Sequence, residues 1–436
     1  MIQHAPWFEE ARLGMFVHWG LYALPARHEW VMNIEEATVE EYSKYFQRFD
    51  PDLYDPREWA KAARSAGMKY VVLTTKHHDG FCLWDSALTD YKATNTPAGR
   101  DLIGPYVEAL RAEGLRVGFY HSLIDWHHPD FTVDGVHPQR NAADVEILNK
   151  GRDMARYREY LHGQVRELLS NYGTIDYLFF DFSYTDQNEF WGGKGPNDWD
   201  SDALLAMVRE LQPDIVVNDR LGIPGDIVTP EQYQPTEPMK LDGVPVTWEA
   251  CQTLNGSWGY DRDNLNYKSV DLLIRMLVDG VSNGGNLLLN VGPTGRGTID
   301  PRALASLEGI GDWMKLHSRA IYGAGPSGFI PPADTRYTQR GDRLYVHLFA
   351  WPFEYLHLPG LAGKVEYAQL LNDASEVFLR EVDPDQQAWN TTPAGQPPGT
   401  LTIKLPVQRP DVAVPVLELF LSPEAANVPD REAGDG

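Results

Sequence analysis

The sequence predicts a (β/α)8-like barrel followed by a small antiparallel β-sandwich, and two observations carry that reading. Over residues 1–325, near-continuous apolar runs alternate with amphipathic stretches. Such runs are strands of a parallel sheet buried on both faces, and about seven strand–helix units point to a barrel. Beyond residue 325 the helical pattern stops and short alternating strands take over, the texture of an antiparallel sandwich.

The barrel strands are expected at "GMFVHWGLY" (14–22), "KYVVLTTKHH" (69–78), "RVGFYHS" (116–122), "DYLFFDF" (176–182), "DIVVNDR" (214–220) and "GNLLLNVG" (285–292), with a weaker one at "PVTWEACQ" (245–252). Amphipathic helices are expected at 56–67, 102–114, 156–173 and 201–213. The first three close on Gly67, Gly114 and Gly173, because glycine takes the left-handed cap without strain. A doubly wound sheet is the alternative, but no G-x-G-x-x-G follows the first strand. A Pro/Gly-rich linker, "AGPSGFIPPADTR", leads to "RLYVHLFAW", "EYLHLP", "EVFLREV", "TLTIKLP" and "PVLELFLS". The expected division is therefore a catalytic barrel at 1–325, a sandwich at 336–425 and a disordered polar tail at 426–436.

Composition narrows the partners. A formal charge of −24 disfavours nucleic acid and anionic membrane and suits a neutral substrate. Two cysteines, Cys82 and Cys251, make no disulfide framework and are expected to be buried, reduced thiols. The start, "MIQHAPWFEEARLG", lacks the basic and apolar regions of a signal peptide. No apolar run approaches the ~18 residues of a membrane span. The expectation is a soluble, cytoplasmic protein.

Strand after strand ends on polar residues: His18; His77, His78 and Asp79; Tyr120 and His121; Asp181; and Asn218, Asp219 and Arg220. In a barrel these ends converge on one mouth, where catalytic groups sit. The most pointed case is "IDYLFFDFSY", an apolar strand that delivers a single carboxylate, Asp181. Burying an isolated carboxylate is costly, so Asp181 is expected to meet solvent and donors at the strand end. A metal would want His and carboxylate ligands at one point, whereas adjacent His77 and His78 point apart on a regular strand. No G-x-S-x-G nucleophile elbow is present, and "NVGPTGRGTI" lacks the Lys of a phosphate loop. Paired carboxylates, the device of glycoside hydrolysis, remain the most economical chemistry. Asp181 suits the nucleophile or base, and Glu231, Glu249 and Glu29 are candidates for its partner.

The motifs "FVHWGLYALP", "HEW", "TTKHHDGFCLWDS", "FYHSLIDWHHPDF", "YLFFDF", "VVNDR", "TWEACQTLNGSWGY" and "GGNLLLNVGPTGRGTI" occur in this order. Together they closely resemble the α-L-fucosidases of glycoside hydrolase family 29 over roughly residues 7–325. The resemblance implies a retaining, metal-independent exo-fucosidase that needs no cofactor and acts on fucosylated oligosaccharides. It implies Asp181 as nucleophile and His18, Glu29, Trp30, His77, His78, Tyr120, Arg220 and Trp258 as sugar-binding residues. It implies Glu231, in the "PE" segment after "NDR", as acid/base, with Glu249 as the rival. Two other readings stay open: a related glycosidase with relaxed sugar specificity, and a carbohydrate-binding protein without catalysis. The chain departs from the family in "FFDF", where Trp and Gly often flank the Asp, and in Arg27 and His28 of "PARHEW". Trp126, His127 and His128 are expected to shape the cleft rim. Linkage preference and oligomeric state have no signal in the sequence.

Overall fold

The structure, a computed structural model, describes residues 2, 4–184, 192–389 and 392–427. Seven parallel strands form one curled sheet: β1 (Leu13–Val17), β2 (Tyr70–Lys76), β3 (Arg116–Ser122), β4 (Tyr177–Asp181), β5 (Val216–Val217), β6 (Glu249–Thr253) and β7 (Asn286–Val291). Their order is β5-β4-β3-β2-β1-β7-β6, and each adjacent pair is parallel. Each expected barrel strand is present, and the weak one at 245–252 begins only at Glu249.

The eighth position is not a regular strand. An irregular segment around Ile227–Glu231 lies between β5 and β6, with parallel bridges from Asn218 to Ile227, Val228 to Trp248 and Glu231 to Cys251. Its hydrogen bonds run to both sides: Asp226 N to Val217 O (2.7 Å), Glu249 N to Val228 O (2.9 Å) and Cys251 N to Pro230 O (3.0 Å). Pro230 has no N–H to give to a ladder, which is why this stretch closes the ring without reading as a strand.

Helices pack outside the ring: α2 (Pro56–Ser65), α3 (Ile103–Ala112), α4 (Met154–Asn171), α5 (Ser201–Leu211), α6 (Val270–Ser282) and α7 (Pro301–His317), while a short helix, α1 (Trp7–Ala11), precedes β1. The side chains of Asp55, Asp153, Ser269 and Asp300 cap α2, α4, α6 and α7 by accepting backbone N–H bonds. The expected helices correspond to α2–α5, whereas α6 and α7 went unread. Their starts are nonetheless marked by Ser269 and by Asp300 followed by Pro301.

Inside the ring the period of two sets the layers. Tyr177 and Phe179 of β4 point inward, where they pack with Phe8, Phe16, Tyr70, Tyr120, Cys251 and Leu288. Leu178 and Phe180 point outward into the core under the helices. The next inward position after Tyr177 and Phe179 is Asp181, at the open end, so an apolar strand delivers a carboxylate simply by running out of barrel.

The C-terminal part contains β8 (Thr335–Arg340), β9 (Arg343–Leu348), β10 (Tyr355–Leu358), β11 (Val365–Leu370), β12 (Phe378–Glu381), β13 (Leu401–Lys404) and β14 (Val416–Leu421). They form two antiparallel sheets, β8-β9-β14-β11 and β10-β13-β12, around Leu344, Val346, Leu358, Ile403, Leu417 and Leu419. β8 has little apolar signal, since "TRYTQR" carries one hydrophobic residue, and in β11 "VEYAQL" the apolar positions do not alternate regularly. The sandwich is bolted to the barrel by Trp313 Nε1 donating to Val414 O (2.8 Å) and Thr338 Oγ1 donating to Ala320 O (2.7 Å). The expected disordered tail begins too early at 426, since Ala425–Asn427 form a 3₁₀ turn; residues 428–436 lie outside the described residues.

Arg12 links α1 to two distant segments. Its buried guanidinium donates to Ala324 O (2.8 Å), Gly284 O (2.8 Å) and Gly285 O (3.4 Å). Arg12→Ala leaves these carbonyls without that donor and is expected to cost about 2–4 kcal/mol, read as a lower urea midpoint at unchanged slope.

Candidate active site

Asp181 closes β4 and is held from two sides. Tyr120 of β3 donates its hydroxyl to Oδ2 (2.8 Å), and Arg220 Nη1 donates to Oδ1 (2.9 Å). His78 Nε2 lies 3.9 Å from Oδ2. Burial pushes the Asp181 carboxyl up, but the Arg220 charge, His78 and these hydrogen bonds outweigh it and hold the group below its ordinary value. The carboxylate therefore stays ionised despite its depth.

The "NDR" motif is a hub. Asn218 accepts from Phe180 N (3.0 Å) and donates to Phe180 O (2.9 Å), acting as a strand backbone where β5 has already ended. Asp219 accepts from Thr229 Oγ1 (2.7 Å), and Arg220 donates from Nε to that hydroxyl (3.0 Å) and from Nη2 to Thr229 O (3.1 Å). Arg220 Nη1 also donates to Glu231 Oε2 (2.6 Å). One nitrogen thus holds both carboxylates, and their nearest oxygens are no farther apart than bonds of 2.9 and 2.6 Å laid end to end. Retaining glycosidases space their two carboxyls by ~5–5.5 Å, and inverting ones by ~6.5–9.5 Å.

The histidines are neutral acceptors. His18 Nδ1 donates to Asn290 Oδ1 (2.7 Å), and Asn290 Nδ2 donates to Trp258 O (2.7 Å), which fixes the amide's orientation. Nε2 of His18 is left as a lone pair. Burial brings His18 down to about 3, against the Asn290 bond and Asp181. His78 Nδ1 is 2.7 Å from Ser122 Oγ, whose own proton goes to Ile124 O (2.8 Å), so the ring is the donor there. Burial brings His78 down to about 4, opposed by Asp181. His77 stacks on Tyr120 at 5.5 Å, and burial holds it well below its usual value. β2 ends at Lys76, so the chain is already turning at His77 and His78. Their rings lie 4.1 Å apart, on one pocket.

That pocket, about 120 Å³, is lined by nine of the ten residues that the resemblance favours: His18, Trp30, His77, His78, Tyr120, Asp181, Arg220, Glu231 and Trp258, joined by Phe16, Phe179, Phe182 and Cys251. Asn290 and Ser122, missed in the sequence, orient its histidines from behind. Asn290 could have been read as one more polar strand end in "LLLNVG". Glu29 stands outside the lining. It is buried and accepts from Gly259 N (2.8 Å), fixing the backbone beside Trp258. Phe182, the residue after Asp181, has φ +75°, a left-handed backbone that costs a bulky residue ~1–3 kcal/mol.

Glu249 does not reach the mouth, which corrects its standing as rival acid/base. It is the first residue of β6 and accepts from Tyr70 and from Tyr177 (2.8 Å), the first residues of β2 and β4. Asp181 lies four residues beyond Tyr177, ~13 Å at ~3.3 Å per residue. Burial raises Glu249 to about 8, against both tyrosine bonds, so it sits protonated at the barrel's closed end. Trp126 Nε1 is buried without a partner in the described residues, while the backbone N–H groups of His127 and His128 donate to Asp125 Oδ1. Both cysteines are free and buried. Among the described residues no three His, Cys, Asp or Glu side chains group as a metal would require, and no helix is long and apolar enough to cross a membrane.

A family model described as alpha-L-fucosidase matches residues 2–319. The chain belongs to the α-L-fucosidase family. Bovine tissue alpha-L-fucosidase is 30% identical over 431 residues, covering 94% of this chain and 86% of that protein. Among solved structures, alpha-L-fucosidase isoenzyme 1 of Paenibacillus thiaminolyticus is 48% identical with TM-score 0.89, covering 96% of this chain and 99% of that one. A family 29 fucosidase of Bacteroides thetaiotaomicron, solved as a trapped covalent intermediate with 2-fluoro-fucosyl fluoride, is 30% identical with TM-score 0.80, covering 95% of each chain. These α-L-fucosidases are glycoside hydrolases, and the last follows a covalent, retaining course.

The His18–Asn290 contact makes a test within this fucosidase fold that needs no substrate. Asn290→Asp puts a carboxylate beside Nδ1–H, which favours the charged ring. The His18 pKa, followed by NMR, is expected to rise by ~1–3 units from about 3.

Proposed function

We propose that this chain removes terminal α-L-fucosyl residues from fucosylated oligosaccharides by double displacement, with Asp181 as nucleophile and Glu231 as acid/base. The observation that carries this reading is the pair of carboxylates on one Arg220 nitrogen, at a separation that suits a retaining enzyme. In the first step Asp181 attacks the anomeric carbon as Glu231 protonates the leaving oxygen, giving a fucosyl ester. In the second, Glu231 takes a proton from water, which attacks the same carbon and frees Asp181. Glu231, with a side chain 39% exposed, can reach both the leaving group and water.

The rest of the pocket suits L-fucose. The sugar is neutral and presents hydroxyls, and the lone pairs on His18 and His78 accept from them. Trp30 and Trp258 offer flat faces to its C–H groups. The small volume suits a single terminal residue. Two buried thiols fit work in a reducing compartment such as the cytoplasm.

Asp181→Gly is expected to lose about 10³-fold or more in kcat on an aryl α-L-fucoside, with azide restoring turnover as an inverted fucosyl azide. Full activity in the variant would contradict the assignment. Glu231→Ala should lose about 10²–10⁴-fold on a disaccharide, whose leaving group needs the proton, and much less on fucosyl fluoride.

The acid limb of kcat/KM reports Asp181. Its carboxyl is held low, and the reaction needs it ionised, so activity persists until pH falls through that lowered value. Tyr120→Phe removes one donor to the carboxylate, and the limb is expected to move to higher pH. A limb that stays in place would assign it to another group.

A further inference from the structure

The pocket divides into a deep part and a mouth. Phe16, His18, His77, His78, Tyr120 and Phe179 are buried, whereas Trp30, Asp181, Phe182, Arg220, Glu231 and Trp258 keep part of their surface open. At about 120 Å³ the pocket has room for one small ring, and for a fucosyl residue seated there the group on the anomeric carbon would pass between the mouth residues. Phe182 is the one of these whose backbone argues for a purpose. At φ +75° glycine would sit without strain, and a branched or aromatic side chain rarely does. Here the strain is offset by an aromatic cage: the Phe182 ring lies 5.3 Å from Trp30, 5.0 Å from His78 and 5.1 Å from Tyr184. Trp30 is itself braced edge-on by Trp126 at 5.2 Å. Trp30 and Phe182 thus make a stiff, half-open aromatic ledge directly beside the proposed nucleophile. Strained residues that the surroundings hold in place gather where function uses them.

Building on the fucosidase reading above, we infer that Phe182 is a specificity-determining residue for the leaving group: braced by Trp30, it packs against the apolar face of a ring-bearing aglycone, sugar or aryl, as that group lies across the mouth. Sugar rings present C–H faces and aryl groups present π faces, and both stack on such a surface. Fluoride as a leaving group is too small to reach it.

The test compares Phe182→Gly, Phe182→Asn and Phe182→Tyr with the parent enzyme. The first two suit a left-handed backbone and lack the ring; the third keeps the ring. The substrates are an aryl α-L-fucoside, an α-L-fucosyl disaccharide and α-L-fucosyl fluoride, with L-fucose as inhibitor and the thermal midpoint as a fold control. The Gly and Asn variants are expected to lose about tenfold in kcat/KM on both ring-bearing substrates, mainly through KM. Their kcat/KM on the fluoride, and inhibition by L-fucose, should stay within about twofold, and Tyr should restore the parent pattern. Parallel losses on all three substrates would overturn the inference and make Phe182 a wall of the sugar site. Unchanged values on the ring-bearing substrates would overturn it as well, leaving a packing role that the thermal midpoint would register. If the parent released no fucose from any of the three, the fucosidase reading itself would fall.

Discussion

The Arg220 guanidinium fixes the positions of both carboxylates at the mouth of the barrel. Without its charge, Asp181 would be a buried acid among aromatic rings, pushed toward its neutral form. Without its Nη1, the Glu231 side chain would lose the hydrogen bond that aims it toward Asp181. A planar guanidinium with several fixed donors can serve both at once and still bond to Thr229, which a lysine could not do. Asn218 and Asp219 extend the arrangement: one fastens β4, the other the segment that replaces the eighth strand. Three consecutive residues therefore tie the Asp181 strand, the closing segment and Glu231 together.

A second constraint is the protonation of the histidines. In a chain of net charge −24, cationic rings beside Asp181 would be no surprise. Burial does the opposite and keeps His18, His77 and His78 neutral. Asn290 and Ser122 then decide which nitrogen keeps its lone pair. The pocket consequently holds two carboxyl groups, Asp181 and Glu231, against one guanidinium, with neutral acceptors around them. That balance suits an uncharged sugar that develops positive charge only at the transition state.

Much of this was legible in the sequence. The strands announced themselves as apolar runs, and polar residues at their ends converged at one mouth because a parallel barrel aligns those ends. Asp181 could be read as the last inward position of its strand. The closing segment could not, because Pro230 and its side-chain bonds replace the pattern that marks a strand. Glu249 stands in the sequence as the rival of Glu231. Its place at the start of β6 puts it at the barrel's closed end, and that depends on where the strand begins, which apolar texture does not show. Glu29 also braces the Gly259 backbone, a contact between segments far apart in the chain that the sequence does not show. The strained φ of Phe182 has no sequence signature, since the phenylalanine there argues against it.

The central claim is that Asp181 forms the covalent bond to the sugar, and the most direct measurement is to trap it. Incubation with 2-deoxy-2-fluoro-α-L-fucosyl fluoride, digestion and mass spectrometry should find one fluorofucosyl group on the peptide that contains Asp181, released again when an acceptor is added. A label on Glu231 or elsewhere, or turnover with no labelled protein under conditions where the intermediate should accumulate, would contradict the account.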